Sequence, residues 1–344
     1  MILKTIDRSE NGITLYKYLM KLMPKIPKGL LRKQLRNKNI TLNGKKADGS
    51  EHLKAGDEIR LFLKDETFDS FRGINDTSDS IYDDIIVEGI TAYDKIKGVQ
   101  ILYESDNFLF LNKPAGVLSQ KADRATLSIN EWLIGYLNTH DKISKDLLRI
   151  YRPSVMNRLD RNTSGIILTA KTLAGSIYLS ELLRNRNLGK FYRTFLLGKV
   201  KEEKIYKAYI TKESDTNTVT IVDTDQGDYD EIKTGVKPLQ YHNDLYGFDC
   251  TDCEIELFTG KTHQIRAHMA SLGHPILGDT KYGDKKVNQI LQQYGIKYQL
   301  LHCARVSFPS ANEGFPELDD LNIICEVPNS YVNLENKRLK RIGS

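Results

Sequence analysis

Cysteine is scarce in this chain: four residues in 344, Cys250, Cys253, Cys303 and Cys325. That is too few for a disulfide scaffold, and a cytosolic compartment keeps such thiols reduced. Cys250 and Cys253 form a C-x-x-C pair, but a structural zinc site wants four ligands, usually from two such pairs. "FDCTDCEIELF" reads as a strand, on which side chains three apart point to opposite faces. Long apolar runs are also missing. None approaches the roughly 18 residues that cross a bilayer, and "MILKTIDRSENG" lacks the apolar block of a secretory signal. The expected location is cytoplasmic, without membrane attachment. Several catalytic motifs are absent too. "TGKTH" (259–263) echoes a phosphate-binding loop, but the glycine needed five residues before Gly260 is Ile255. No H-E-x-x-H occurs, and His263 and His268 are poorly spaced to share a metal on one helix face. No G-x-S-x-G surrounds Ser164, and no dinucleotide fingerprint follows a strand. Neither a cofactor nor a metal is expected.

What is present is charge, unevenly placed. The formal net charge is +5, yet residues 1–60 hold fourteen Lys or Arg against six Asp or Glu, while 65–94 hold nine acids and one base, Arg72. A basic module of that size suits a phosphate-backbone partner. In "GITLYKYLMKLMP" apolar residues recur at helical spacing until Pro24. "KGLLRKQLRNKN" predicts a second helix, with Leu30, Leu31 and Leu35 inward. "ITLNGKKA" predicts a strand entering an Asn-Gly hairpin, and "LKAGDEIRLFL" a further turn and strand. Over residues 12–63 this order and these residues resemble the S4 RNA-binding domain. The resemblance implies that Arg32, Lys33, Arg36, Lys38, Lys45 and Lys46 face structured RNA. Residues 64–97, acidic and rich in Ser, Asp and Thr, are expected to form a linker.

From residue 98 strands and helices alternate without a regular βαβ repeat. "VQILYESDNFLFLNKPAGVLSQ" predicts two strands and a Pro-Gly loop, "TLSINEWLIGYLNTH" a helix, and "SGIILTAKT" a strand. "LAGSIYLSELLRNRN" predicts a helix and "KFYRTFLLGKV" a strand. The expected class is α+β with a mixed or largely antiparallel sheet. Four segments hold polar or Gly-rich residues beside apolar strands, where loops present side chains from a rigid sheet. They are "LNKPAGVLSQ", "NRLDRNTSG", "KFYRTFLLGKV" and "TGKTHQIRAHMASLGHPILGDTKYG". Composition leaves Asp160, between Arg158 and Arg161, open as a salt bridge, a turn or a catalytic carboxylate.

Together the four segments resemble the RluA-type pseudouridine synthases across residues 98–310, on the strength of R-L-D-x-x-T-S-G and T-G-[KR]-x-H-Q-I-R. The resemblance implies detachment of uracil from its ribose, rotation, and reattachment through C5. It implies Asp160 as the catalytic carboxylate, Arg266 as its partner, and Tyr192 stacking on the base or relaying the C5 proton. Arg158, Arg161, His263 and Gln264 are expected to contact RNA or to order the segment carrying Arg266. Lys113, Pro114 and Gly116 fit a loop brace, with Lys113 an alternative phosphate contact. Gly278 and Asp279 fit a turn. Asn157 stands where many relatives have histidine. The expected organisation is an S4-like domain (1–63), an acidic linker (64–97), a synthase domain (98–330) and a basic tail (331–344). The expected protein is a monomer acting on structured RNA, preferably 23S-type large-subunit ribosomal RNA. Transfer RNA is the alternative substrate, and a non-catalytic RNA-binding or ribosome-assembly factor the alternative class.

Overall fold

Helical and strand periodicities alternate along the chain, and the backbone follows them. The computed structural model describes residues 1–6, 10–73, 76–123, 125–140, 142–212, 218–225, 227, 229–336 and 340. The architecture is mixed α and β, in two compact units. One comprises Met1–Phe110, Leu118–Arg158 and Leu168–Glu181; the other comprises Leu111–Val117, Leu159–Ile167 and Leu182–Ser344.

In the first unit, the helix Leu15–Leu22 starts at Thr14, whose hydroxyl caps Lys17 N–H, and buries Leu15, Tyr18, Leu19 and Leu22. The helix Lys28–Arg36 buries Leu31 and Leu35. Both helices share a core with a small antiparallel sheet, ordered Ile2–Thr5, Glu58–Leu61, Ile40–Leu42, Lys45–Lys46. Asn43 and Gly44 both have positive φ, 50° and 73°, as a type I′ hairpin turn requires. The first strand of this sheet, Ile2–Thr5, had no signal of its own in the sequence; pairing with Glu58–Leu61 creates it. Arg32, Lys33, Arg36, Lys38, Lys45 and Lys46 are all exposed.

The expected linker 64–97 is instead mostly helical, as Asp65–Arg72 and Asp76–Lys95. Asp65, Glu66, Asp69, Asp83, Asp84 and Asp94 face solvent, but Ile85, Gly89, Ala92 and Ile96 recur at helical spacing on the less exposed side. Gly89 meets Gly135 of the helix Ile129–Thr139 so closely that a Cβ on Gly135 would lie 2.1 Å from the Gly89 carbonyl oxygen. Tyr93 packs beside Trp132, ring centroids 5.3 Å apart. Counting acids concealed this stripe, because a charged face and a packed face share one helix.

In the second unit, strands run in the order Val219–Val222, Lys204–Lys212, Asp230–Leu245, Phe248–Leu257, Gly189–Leu197, Leu301–Ser307, Ser164–Ala170, Phe108–Lys113; the last two lend segments to both units. Gly189–Leu197 pairs antiparallel with Phe248–Leu257 and with Leu301–Ser307. Leu301–Ser307 then pairs parallel with the strand that follows the Asp160 loop, His302 opposite Ser164 and Cys303 opposite Gly165. Gly165 has φ 110°, and a Cβ there would lie 2.3 Å from Cys303 O. Only glycine lets these two backbones approach so closely.

The expected basic tail begins as structure. The helix Asn329–Glu335 buries Tyr331 and Leu334, and Glu335 joins Asp252 on Arg193 at 3.3 Å. Two apolar side chains three apart supplied that docking face within a polar segment. Residues 337–339 and 341–344 of the tail lie outside the described residues.

Two buried histidines make stability pH-dependent. His302 accepts from Ser164 Oγ at Nδ1 (2.8 Å) and donates from Nε2 to Cys325 O (3.2 Å). His268 Nδ1 meets Thr234 Oγ1 at 3.0 Å. Burial pushes both down to about 4 from an ordinary 6.5. The unfolded chain therefore binds more protons in that interval, so stability falls as pH drops from 6.5 and levels off below about 4. The expected loss is on the order of 3 kcal/mol per histidine. Denaturant midpoints at pH 7, 5.5 and 4.5 check it, and replacing His302 by Asn should flatten the dependence.

Candidate active site

The loop that carries Asp160 is tied down before its side chain is considered. Thr163 N–H donates to Asp160 O at 3.1 Å, and Gly116 N–H donates to Arg161 O at 2.9 Å. Lys113, fully buried, donates from Nζ to Arg161 O (3.0 Å), Pro114 O (3.0 Å) and Val117 O (2.7 Å). It is the brace between two loops and is too buried to meet a phosphate. Burial lowers its ammonium to about 7, against an upward pull from Asp160.

Arg266 lies on the first turn of the helix Gln264–Ser271. On that helix Ala267 packs with Ala208, Ile210, Val219 and Ile232. Its Nη1 donates to Asp160 Oδ2 at 2.8 Å across 106 positions of sequence. Its Nε and Nη2 donate to Asp279 Oδ2 and Oδ1 at 2.7 and 2.9 Å. Burial opposes the guanidinium charge, but Asp279 and then Asp160 outweigh it and hold its pKa above the ordinary value. Asp279 is fully buried; burial pushes its carboxyl up, and Arg266 with the amides of Lys281 and Tyr282 brings it below the usual range. The sequence marked Asp279 as a turn residue only. Its "GDTKYG" setting does look like a turn, and its pairing with Arg266 exists only after folding.

His263 and Gln264 separate in role. Gln264 is buried: its Oε1 accepts from Thr259 Oγ1 and Lys261 N, and its Nε2 donates to Thr234 Oγ1 at 3.1 Å. It orders the start of the helix that carries Arg266, one of the two roles expected of it. His263 sits at φ 52° just before the helix, and its Nδ1 is 3.0 Å from Tyr282 Oη. Tyr282 Oη accepts from Val219 N–H at 3.0 Å, so its own proton goes to His263 Nδ1. The neutral ring then carries its hydrogen on Nε2, which lies 3.9 Å from Asp160 Oδ2. Burial lowers the His263 pKa, Asp160 raises it, and Arg266 and Lys281 lower it again. The Tyr282 ring also lies 5.3 Å from the Arg266 guanidinium carbon.

Arg266 and His263 thus converge on one Asp160 oxygen. Among the described residues Oδ1 has no hydrogen-bond partner, and the side chain keeps 27% of its exposure. Tyr192 lies on the strand Gly189–Leu197, opposite Cys303 and Ile255. Burial, then Cys303, then Asp160 push its phenol well above 10, so it holds its proton at neutral pH. Arg158 and Arg161 are exposed. Asn157 accepts Leu168 N–H at 2.7 Å, an internal use of the position where histidine is common in the resembling family. The four thiols are buried and pushed up to about 12 by burial, which removes them as nucleophiles. Among the described residues no three His, Cys, Asp or Glu are grouped to hold a metal ion. Nor is any helix among them long and apolar enough to cross a membrane.

The arrangement is a carboxylate with one oxygen anchored and one available. RNA pseudouridylate synthase is the family matched by residues 107–271. The ribosomal large subunit pseudouridine synthase C of Rickettsia bellii is 31% identical over 92% of this chain and 95% of that protein. The protein of that name from Vibrio parahaemolyticus is 28% identical over 90% and 89%. Among solved structures, human RNA pseudouridylate synthase domain containing 4 superposes with a TM-score of 0.55, at 20% identity over 73% of this chain and 96% of that one, a likeness of fold.

Proposed function

The chain belongs to the RNA pseudouridylate synthase family, and from that premise we propose that it isomerises uridine in large-subunit ribosomal RNA through Asp160. The observation that carries the reading is the available Asp160 oxygen beside an anchored one. Detaching uracil from ribose leaves an electron-poor sugar carbon. A carboxylate meets that need by bonding to it or by stabilising it. Arg266 orients Asp160 through Oδ2, and Oδ1 faces the sugar. Lys113 and Gly116 keep the loop in place while the base rotates. Tyr192, as a neutral phenol, supports the base. The target must leave its stack to reach the carboxylate, which costs a few kcal/mol; binding elsewhere has to offset it.

That binding falls to an S4-like module in residues 1–63. Its six basic side chains, three on one helix, Lys38 just after it and two on the hairpin, are all exposed, with Arg32 5.6 Å from the Tyr16 ring. Lys38 is telling. It follows the helix C-cap at φ 59°, a position where glycine is preferred, and presents a charge there instead. Arg158 and Arg161 add exposed charge for RNA phosphates. The substrate choice rests on the names of the relatives. Pseudouridine mapping of ribosomal and transfer RNA from cells lacking the gene tests it: one or more large-subunit sites should revert to uridine. Loss confined to transfer RNA would overturn the substrate assignment.

A further inference from the structure

Two side chains near Asp160, His263 and Tyr282, are needed neither to hold its loop nor to form its pair with Arg266. Both stand in a chain of hydrogen bonds that leads to the carboxylate. The chain starts on the strand Val219–Val222, whose first N–H donates to Tyr282 Oη at 3.0 Å. A phenol oxygen that accepts there has one proton left to give, and His263 Nδ1 lies 3.0 Å away. The imidazole therefore keeps its own hydrogen on Nε2, 3.9 Å from Asp160 Oδ2. The opposite tautomer would turn a lone pair toward a carboxylate and deny the phenol proton this acceptor. Burial, with the charges of Arg266 and Lys281, favours the neutral ring against the pull of Asp160 and Asp279.

The two residues are held firmly. The His263 side chain is 10% exposed, and its backbone sits at φ 52°, an uncommon conformation outside glycine. Such outliers persist where the surroundings over-determine them, and they concentrate at active sites. The Tyr282 ring packs against the cluster of Ala208, Ile210, Val219, Ile232 and Ala267, edge-on to the His263 ring at 5.7 Å. Its N–H donates to Asp279 Oδ1 at 3.1 Å, the oxygen that also accepts from Arg266 Nη2. Gly283 N–H donates to Asp279 O at 2.9 Å, and a Cβ on Gly283 would lie 2.2 Å from that oxygen. Residues 279–283 thus place both groups that approach Asp160 Oδ2, Arg266 directly and His263 through Tyr282.

A carboxylate held by one hydrogen bond can pivot about it. Arg266 Nη1 supplies that bond at 2.8 Å. At 3.9 Å the imidazole makes no hydrogen bond to Oδ2 at rest, but its N–H carries a partial positive charge that resists the oxygen swinging away. We propose that His263 and Tyr282 are positioning residues for the isomerisation: Tyr282 fixes the imidazole with its Nε2 hydrogen on the Oδ2 side, and this second donor limits the pivot of Asp160 and holds Oδ1 in line for the sugar carbon. This rests on the reading of Asp160 as the reacting carboxylate.

The test uses the full chain. Nitrogen NMR of protein with labelled histidine identifies the His263 signals by their absence from His263→Gln. They should show hydrogen on Nε2 and an Nδ1 that accepts a hydrogen bond. In Tyr282→Phe, which keeps the ring and its packing, the Nδ1 signal should move to that of an unbonded nitrogen. On an unmodified large-subunit ribosomal RNA transcript, Tyr282→Phe should lower kcat about tenfold and leave KM within about twofold, because a slightly misplaced reacting group slows the chemical step. His263→Gln, whose amide can still donate toward Oδ2, should keep more activity than His263→Ala. In the His263→Gln background, adding Tyr282→Phe should change kcat by less than about twofold, because the tyrosine acts through the imidazole. A tyrosine with a merely structural role would give the same loss in both backgrounds. The underlying reading fails separately: Asp160→Asn protein that still turned over the transcript would remove it, whereas the histidine signals are read without RNA. Hydrogen on Nδ1 in the wild type, equal losses in both backgrounds, or a Tyr282→Phe kcat within about twofold of wild type would overturn the proposal.

Discussion

Asp160→Asn should reduce pseudouridine formation by about 10⁴-fold or more, the scale seen when a covalent catalyst is removed from an otherwise intact site. The substitution keeps the shape of the side chain and a hydrogen-bond acceptor for Arg266, and removes only the charge and the nucleophilic oxygen. Folding should survive, because the guanidinium retains both bonds to Asp279, at 2.7 and 2.9 Å, and stays paired. The loop should survive as well, since Lys113 and Gly116 hold the Arg161 carbonyl and Thr163 N–H the Asp160 carbonyl, not the carboxylate. RNA affinity should change by less than about threefold, as the phosphate contacts lie elsewhere. Single-turnover assays with the unmodified transcript, alongside binding and melting curves, separate these effects. A rate within tenfold of wild type would exclude Asp160 as the reacting group, whatever happens to stability.

The parts of this molecule legible in the sequence were those encoded locally. The helices Leu15–Leu22 and Lys28–Arg36 follow from apolar spacing, the Asn43–Gly44 turn from its dipeptide, and the strand Gly189–Leu197 from alternation. Asp160, Tyr192 and Arg266 were legible as types within motifs, and the Asp160–Arg266 contact as an expectation. What stayed hidden depends on partners. The strand Ile2–Thr5 exists through pairing with Glu58–Leu61. The helix Asp76–Lys95 is recognised by the glycine that meets it, Gly135, more than by its own acid-rich composition. Gln264 was open between ordering the Arg266 segment and touching RNA, and burial commits it to Thr234, Thr259 and Lys261. Asp279 and Tyr282 gave no local signal beyond a turn. Their roles come from the long-range approach of a helix start to a loop.

Asp279 therefore carries the second large expectation, which concerns stability as much as activity. It and Arg266 are a buried pair, 0% and 8% exposed at their side chains. Removing one member of such a buried pair costs about 3–5 kcal/mol, at the lower end for loss of Asp279 because Arg266 keeps Asp160 at 2.8 Å. Asp279→Asn strips the guanidinium of its fully buried counter-charge. Arg266→Met strips the carboxylate of its cation, although Lys281 and Tyr282 N–H still donate to it. In the Arg266→Met variant burial of Asp279 is no longer opposed by a cation, so its folded pKa rises above the unfolded one. Such a group destabilises at high pH and recovers once protonated. In the wild type the same carboxyl is depressed, and its stabilisation is lost as pH falls through the folded pKa. The stability gap between the two proteins should consequently narrow from pH 7 to pH 4.5. The double variant Arg266→Met with Asp279→Asn removes both charges and keeps an oxygen to accept the two amides, so it should be more stable than either single variant. Strict additivity of the two losses would refute the buried pair as the source of the cost. Activity separates the roles, because the double variant should fold yet stay inactive: Asp160 has lost the arginine that fixes its Oδ2.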